Sequence, residues 1–264
     1  MNGLSSVSTN YNIANTYYLT PNNNTVRMHN KEPEDNTAKT AVTAGILQAF
    51  AMFLQKASEY CGNKLMQGKE FTNAENIKKT AEKMVKDNKL NVNVDYIDHV
   101  NIKKYPSQIR EMLGPVARGE NAFYADGLKL AVAPKSKPSL ILHELGHAIN
   151  ASKGKFMKFL QKSRGYVSAV PTALLLANGL FRNNDDKPNF VERNAGKIGF
   201  LAFLPTIIEE GMASLRGLKY AKKLNGVNLA PLKRNYFFAW MTYVIAGLGL
   251  GVAAKQALLE SKKQ

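Results

Sequence analysis

The stretch LILHELGHAIN, residues 140–150, sets His143 and His147 four residues apart with Glu144 between them. On a helix that spacing puts both imidazoles on one face, one turn apart, where they can grip a single ion. Glu144 lies about 100° further round, beside the ion's open position, and can accept a proton from a water that the ion activates. Zinc suits two neutral imidazoles and lowers the pKa of its water to about 7. Gly146 leaves space for another element to approach. The structural alternative is an ordinary core helix with satisfied histidines. With four histidines in the whole chain, a match that falls inside an apolar run favours the metal reading.

A tetrahedral catalytic site needs a third protein ligand. No histidine follows His147, and the extended pattern HExxHxxGxxH fails because Asn150 and Lys153 hold its last two fixed positions. A downstream carboxylate is therefore required. Asp185, Asp186 and Glu192 sit in the polar stretch RNNDDKPNFVERN, where solvation accounts for them. Glu209 and Glu210 follow the apolar run FLAFLPTII and open EEGMASLRGLKY. A carboxylate at the end of an apolar helix is costly without a partner, and a zinc ion is such a partner. Helix capping, or pairing with lysines at a membrane surface, is the competing account of the same two residues. Arg216, Tyr220 and Tyr236 are candidate donors to a developing oxyanion.

HELGH followed by a glutamate in an E-x-x-A-S setting resembles the gluzincin metallopeptidases, and among them the membrane-embedded HtpX and CAAX-prenyl-protease-like family. The resemblance covers residues 120–220. It implies a zincin-like catalytic core, one zinc ion, and peptide-bond hydrolysis with Glu144 as general base. It also implies His143 and His147 as ligands, with a third from a Glu-x-x-Ala-Asp motif. Aligning Ala213 with that alanine selects Glu210, leaving Glu209 as the alternative ligand. Ser214 stands where the family has an aspartate that orients a ligand histidine. Asn121, Ala122 and Phe123 resemble the start of the family's edge strand, which pairs with extended substrate backbone.

The elements around the motif follow from pattern. The first 36 residues are an Asn-rich polar arm without periodicity, and they lack the charged-then-apolar order of a cleaved signal. A helix begins after Asn36 or Thr37, carrying Val42, Ile46, Phe50, Phe53 and Leu54 at helical spacing. Its apolar part, broken by Gln48 and Gln55, is short for a membrane span. Thr72 and Glu75 form a capping-box pattern before a second helix. Leu90, Val92, Val94 and Tyr96 alternate as a strand, and residues 106–113 form a short helix. Two β-prone runs flank Asp126-Gly127, a hairpin signal, and Pro138 and Ser139 start the motif helix. Beyond it, residues 166–181, 198–208 and 236–254 are apolar. The last has the length and the glycines (Gly247, Gly249, Gly251) of a transmembrane helix. The expected fold is α+β, mainly α-helical, with a small sheet or edge hairpin and membrane-associated helices. Its divisions are the arm (1–36), an N-terminal helical or α+β region (37–119) and a metallopeptidase core (120–264).

The chain of 264 residues carries 36 Lys+Arg against 20 Asp+Glu, a formal charge of +16. That charge favours an acidic partner, anionic membrane lipids or nucleic acid, and does not by itself separate the two. Nucleic acid is disfavoured, because the basic residues are spread over helices and loops and no zinc-finger, RNP or phosphate-loop motif occurs. One cysteine, Cys61, excludes an internal disulfide framework. Basic groups at 153–164 and 215–235 flank the apolar segments on the side of the motif, so the positive-inside rule puts the site at the cytoplasmic face. Two functions compete. One is a zinc metalloendopeptidase at a membrane. The other is a non-catalytic membrane or scaffold protein with a structural or decayed zinc site, which Ser214 and the missing third histidine favour.

Overall fold

The structure, a computed structural model, describes residues 36–180 and 188–261. The arm assigned to residues 1–36 lies outside the described residues up to Asn36, as do Asp185 and Asp186. The described chain is mainly helical with one small mixed sheet, so the α+β, mainly α class holds.

Asn36 opens α1 (Asn36–Met66). Next comes α2 (Ala74–Asp87), whose N-cap is Asn73, its side chain accepting from the Asn76 backbone N–H. The Thr72/Glu75 pattern therefore misplaced the cap by one residue. Asparagine is as good an N-cap as threonine, and Thr72 instead accepts from the Asn76 side chain at 3.1 Å. Strand β1 (Asn93–Ile97) is followed by α3 (Ser107–Ala117), β2 (Phe123–Ala125) and β3 (Leu130–Pro134). Asp126-Gly127 does turn the chain between β2 and β3. It does so as a short 3-10 turn, Asp126–Leu128, completed by Lys129 at φ 48°, and not as a two-residue hairpin turn.

The sheet order is β1-β3-β2, with β1 parallel and β2 antiparallel to β3. Because β1 comes from the region 37–119 and β2 and β3 come from beyond it, the sheet crosses the division drawn at 119/120. All five residues of β3 are buried. Alternation sends Val132, with Leu130, against Ile97, Leu113, Val116 and Phe123 on one face. Ala131 and Ala133 meet Ile141, Leu142 and Leu145 on the other. The small side chains on that second face let the motif helix lie close to the sheet.

That helix is α4 (Leu140–Ser152). After Gly154, at φ 97°, come α5 (Lys155–Ser163), a 3-10 segment (Arg164–Ala169) and α6 (Val170–Leu180). Then follow α7 (Phe190–Ala221) and α8 (Ala230–Ser261). Helix α7 starts earlier than the apolar run that announced it. Asn189 and Glu192 form a reciprocal capping box, so Glu192, 7% exposed, is a cap residue and not a solvated loop acid. Helices α7 and α8 pack antiparallel through a seam of small residues. A Cβ at Gly199 would stand 3.0 Å from Gly251 Cα, and one at Gly251 2.6 Å from the Gly196 carbonyl oxygen. Both helices are long and apolar enough to cross a membrane, whereas α6 is shorter. Large apolar side chains face outward on them, among them Leu201, Ile208, Leu215 and Phe237, as do Leu176 and Leu180 on α6 and Phe50 and Phe53 on α1.

Candidate metal centre

Helices α4 and α7 run antiparallel with almost no side chain between them at the site. A Cβ on Gly146 would collide with the Ala213 backbone, 2.8 Å from its Cα and its carbonyl carbon. One turn away, a Cβ on Gly217 would lie 2.9 Å from the Leu142 carbonyl oxygen. These two glycines allow the backbones to touch, which puts His143 and His147 directly opposite the carboxylates of α7. Ala213 is thus the backbone contact that sets Glu210 one turn away, level with His147.

His143 Nε2 and His147 Nε2 are 3.0 Å apart. Glu210 Oε2 lies 3.1 Å from the first and 3.6 Å from the second. The far ring nitrogens are held from behind. His147 Nδ1 lies 2.8 Å from Glu209 Oε1, and His143 Nδ1 lies 3.1 Å from Ser214 Oγ. Glu209 Oε1 also receives the Asn150 side-chain amide at 2.9 Å and the Gln161 amide at 3.1 Å. Arg164 bridges the two acids, with Nη1 3.2 Å from Glu209 Oε2 and Nη2 on Glu210 Oε1. Glu209 and Glu210 are fully buried, and His147 and Glu144 are each 3% exposed. At 9% exposed, His143 is the most open of the five.

Consecutive residues on a helix point about 100° apart. One of the two glutamates therefore meets the Nε2 side of the imidazole pair and the other the Nδ1 side of His147. An ionised Glu209 can only accept, so His147 carries its proton on Nδ1 and turns a lone pair on Nε2 toward the centre. That lone pair faces Glu210 Oε2, an acceptor as well, and the Nε2 of His143. Three possible ligand atoms with edges of 3.0, 3.1 and 3.6 Å enclose a point that a single cation can fill once His143 carries its proton on Nδ1, toward Ser214 Oγ. A tetrahedral zinc with bonds of about 2.0–2.1 Å spaces its ligand atoms by about 3.3 Å. The residues present fit such an ion. Buried groups of His143, Glu144 and His147, and of His147, Glu209 and Glu210, are each close enough to hold a metal.

Glu144 Oε2 is buried without a hydrogen-bond partner. A polar atom left so is costly, and it marks a place where a ligand or a water belongs. Burial raises the Glu144 carboxyl above its ordinary range. Burial, with the neighbouring His147, lowers His143 to about 4, so at neutral pH this imidazole is uncharged and able to bind a metal.

The other sequence candidates are placed as follows. Ser214 is at the site, on the ring nitrogen where an orienting group belongs. Arg216 acts one step further out, its Nε donating to Asn150 Oδ1 at 2.5 Å, and Asn150 in turn donates to Glu209. Tyr220 is engaged elsewhere, its hydroxyl accepting from the Asn88 side chain at 2.8 Å. Neither Arg216 nor Tyr220 reaches the ring of acceptors. The ring of Tyr236 packs 5.6 Å from that of His143. Asn121, Ala122 and Phe123 lead into β2, which is an edge strand lying against α4, and all three are buried.

Arg164 and Gln161 were not singled out from the sequence as site residues. Both come from the reversal after Gly154, which folds a run that reads as a basic flank back onto α7.

No protein-family model matches this chain, and no curated protein or solved structure is similar enough to match it. The site therefore has to be read from its own chemistry.

Proposed function

We propose that the protein is a zinc-dependent metalloendopeptidase with a zincin-like core, similar in its motifs to the HtpX and CAAX-prenyl-protease-like family. The observation that carries this reading is the convergence of His143 Nε2, His147 Nε2 and Glu210 Oε2 beside Glu144, whose Oε2 is buried without a hydrogen-bond partner. His143, His147 and Glu210 would hold the ion, which when bound supplies Lewis acidity toward a peptide carbonyl and lowers the pKa of water at the site to about 7. Glu209 and Ser214 orient the two imidazoles and fix which nitrogen faces the centre. Glu144 accepts the proton of the attacking water and returns it to the leaving amine, and burial tunes its carboxyl toward that task. β2, at the edge of the sheet, would be the strand that pairs with an extended substrate.

The two long apolar helices support a place in a membrane. Helix α7 carries the two glutamates in its C-terminal half, at the end where α7 and α8 meet the α/β part. The site then lies near a bilayer surface, and the flanking lysines and arginines favour the cytoplasmic face with anionic lipid head groups.

The competing reading is a non-catalytic protein with a structural metal, favoured by how deeply most of the cluster is buried. Full-length protein in detergent, wild type and Glu144→Gln, separates them. The expected result is one zinc per chain in both, with hydrolysis of an unfolded protein substrate in the wild type alone. Hydrolysis that survives in Glu144→Gln refutes the mechanism. Zinc without hydrolysis in either protein, across a panel of peptides and unfolded proteins, favours the structural metal.

A further inference from the structure

Arg164 is the residue whose task the zinc reading leaves unassigned. It opens the 3-10 segment at the end of α5, and its side chain is 11% exposed. Its guanidinium carbon sits over the ring of Tyr243 on α8, 6.0 Å from the ring centre. Its two terminal nitrogens reach one oxygen of each neighbouring carboxylate, Oε2 of Glu209 and Oε1 of Glu210. The remaining oxygens are then directed differently. Glu209 Oε1 goes to His147 Nδ1, and Glu210 Oε2 goes to the Nε2 pair.

Helix rotation turns Glu210 toward the Nε2 pair and Glu209 toward His147 Nδ1, but it does not fix how many oxygens each carboxylate turns toward an ion. Each could rotate toward the cation and take it with both oxygens. We propose that Arg164 is a positioning residue that sorts them. It pins one oxygen of each, so Glu210 offers a single oxygen to the ion while Glu209 stays behind His147. The inference rests on the zinc reading above. The planar fork of arginine suits this task, since it spans two carboxylates in a fixed geometry, whereas the ammonium of lysine is a point charge.

Plain electrostatics and ligand positioning act with opposite sign on zinc binding here. A guanidinium this close to a divalent cation repels it, so on charge alone its removal would tighten zinc binding. If Arg164 positions the glutamates, its removal weakens binding. Losing a residue that orients a ligand lowers metal affinity by about 10–100-fold.

The test uses full-length protein in detergent and measures zinc affinity by competition with a chromophoric chelator. The set is wild type, Arg164→Gln, Arg164→Lys, Glu209→Gln and the Arg164→Gln/Glu209→Gln double variant. Both Arg164 variants are expected to bind zinc about 10–100-fold more weakly. In the Glu209→Gln background a single α7 carboxylate remains and there is no pair to sort, so the further loss from Arg164→Gln shrinks to under about threefold. The visible spectrum of the cobalt-substituted protein is expected to change in Arg164→Gln, reporting an altered donor set. Unchanged or tighter zinc binding in the Arg164 variants overturns the proposal, as does an equal loss with and without Glu209. Full rescue by Arg164→Lys overturns it too, by showing that charge alone suffices. If Arg164→Gln lacks a cooperative thermal transition, Arg164→Lys decides. A wild type that binds no zinc defeats the zinc reading itself and this assignment with it.

Discussion

Gly146→Ala tests the geometry most directly, because a single methyl group enters where two backbones meet. In an open helix the change stabilises by about 1 kcal/mol, since alanine is the better helix former. At position 146 the new Cβ would stand 2.8 Å from both Ala213 Cα and its carbonyl carbon, and closer still to the carbonyl oxygen. Carbon atoms pack favourably at about 3.5–4.0 Å. With backbone on both sides and no flexible side chain to yield, α4 and α7 must separate by about 1 Å. Metal–ligand distances tolerate about 0.2 Å. A shift several times larger takes Glu210 Oε2 out of reach while the two histidines, both on α4, move together. The expected loss in zinc affinity is at least about 100-fold, at or beyond the upper end of what orienting residues contribute. Overpacking costs about 1–3 kcal/mol, so the net change in metal-free stability is a loss of up to about 2 kcal/mol. Chelator competition and thermal unfolding in detergent measure the two quantities. Gly45→Ala on α1 is the control, because a Cβ there meets nothing within 4 Å. It should leave zinc binding unchanged and stability equal or higher. Wild-type zinc affinity in Gly146→Ala would refute the claim that backbone contact sets the third ligand.

Two further outcomes follow from burial. Between pH 6.5 and about 4 the unfolded chain takes up a proton at His143 that the folded chain refuses, so this group makes metal-free stability fall on acidification. Glu144 acts in the opposite sense, since the folded chain keeps its proton above 4.5 where the unfolded chain has lost it. The two cancel where their windows overlap. Chelator-treated Glu144→Gln should therefore lose up to about 1.4 kcal/mol per pH unit across that range, more steeply than wild type. Parallel pH profiles would contradict the assignment. Leu201 on α7 is 57% exposed. If that face meets lipid, Leu201→Asp costs about 2.5–3.5 kcal/mol of membrane insertion and reduces the carbonate-resistant fraction. On a solvated face it would change stability by no more than about 0.5 kcal/mol.

The parts legible in the sequence are those whose geometry is local. His143, Glu144 and His147 lie within five residues, so helical spacing alone predicts their shared region. The β-prone run that becomes β3 and the apolar stretch 236–254 inside α8 are local in the same way. The choice between Glu209 and Glu210 is not local. Both follow the same apolar run, and their difference arises only when α4 supplies a second helix against which 100° of rotation has meaning. Glu192 was misread for a related reason. The stretch 182–194 around it is mostly polar, and such a stretch describes a loop unless the reciprocal bond with Asn189 is recognised as the start of a helix.

Arg164 is the extreme case. In the sequence it follows Lys153, Lys155, Lys158 and Lys162, and nothing separates it from a solvated basic flank. Its role depends on Gly154 reversing the chain, on α5 being short, and on Tyr243 arriving from a helix about 80 residues later. The antiparallel contact of α4 with α7 links these facts. Leu142 meets Gly217, His143 meets Ser214 and Glu210, Gly146 meets Ala213, and His147 meets Glu209 and Glu210. Each step of one turn on α4 matches one turn on α7. Where both residues of a step are small or apolar, the backbones close. Where they are polar, a ring of acceptors forms that leaves room for a cation. A short local motif thus specifies half of a cluster that could hold a metal ion, and a pair of glycines decides whether the other half arrives.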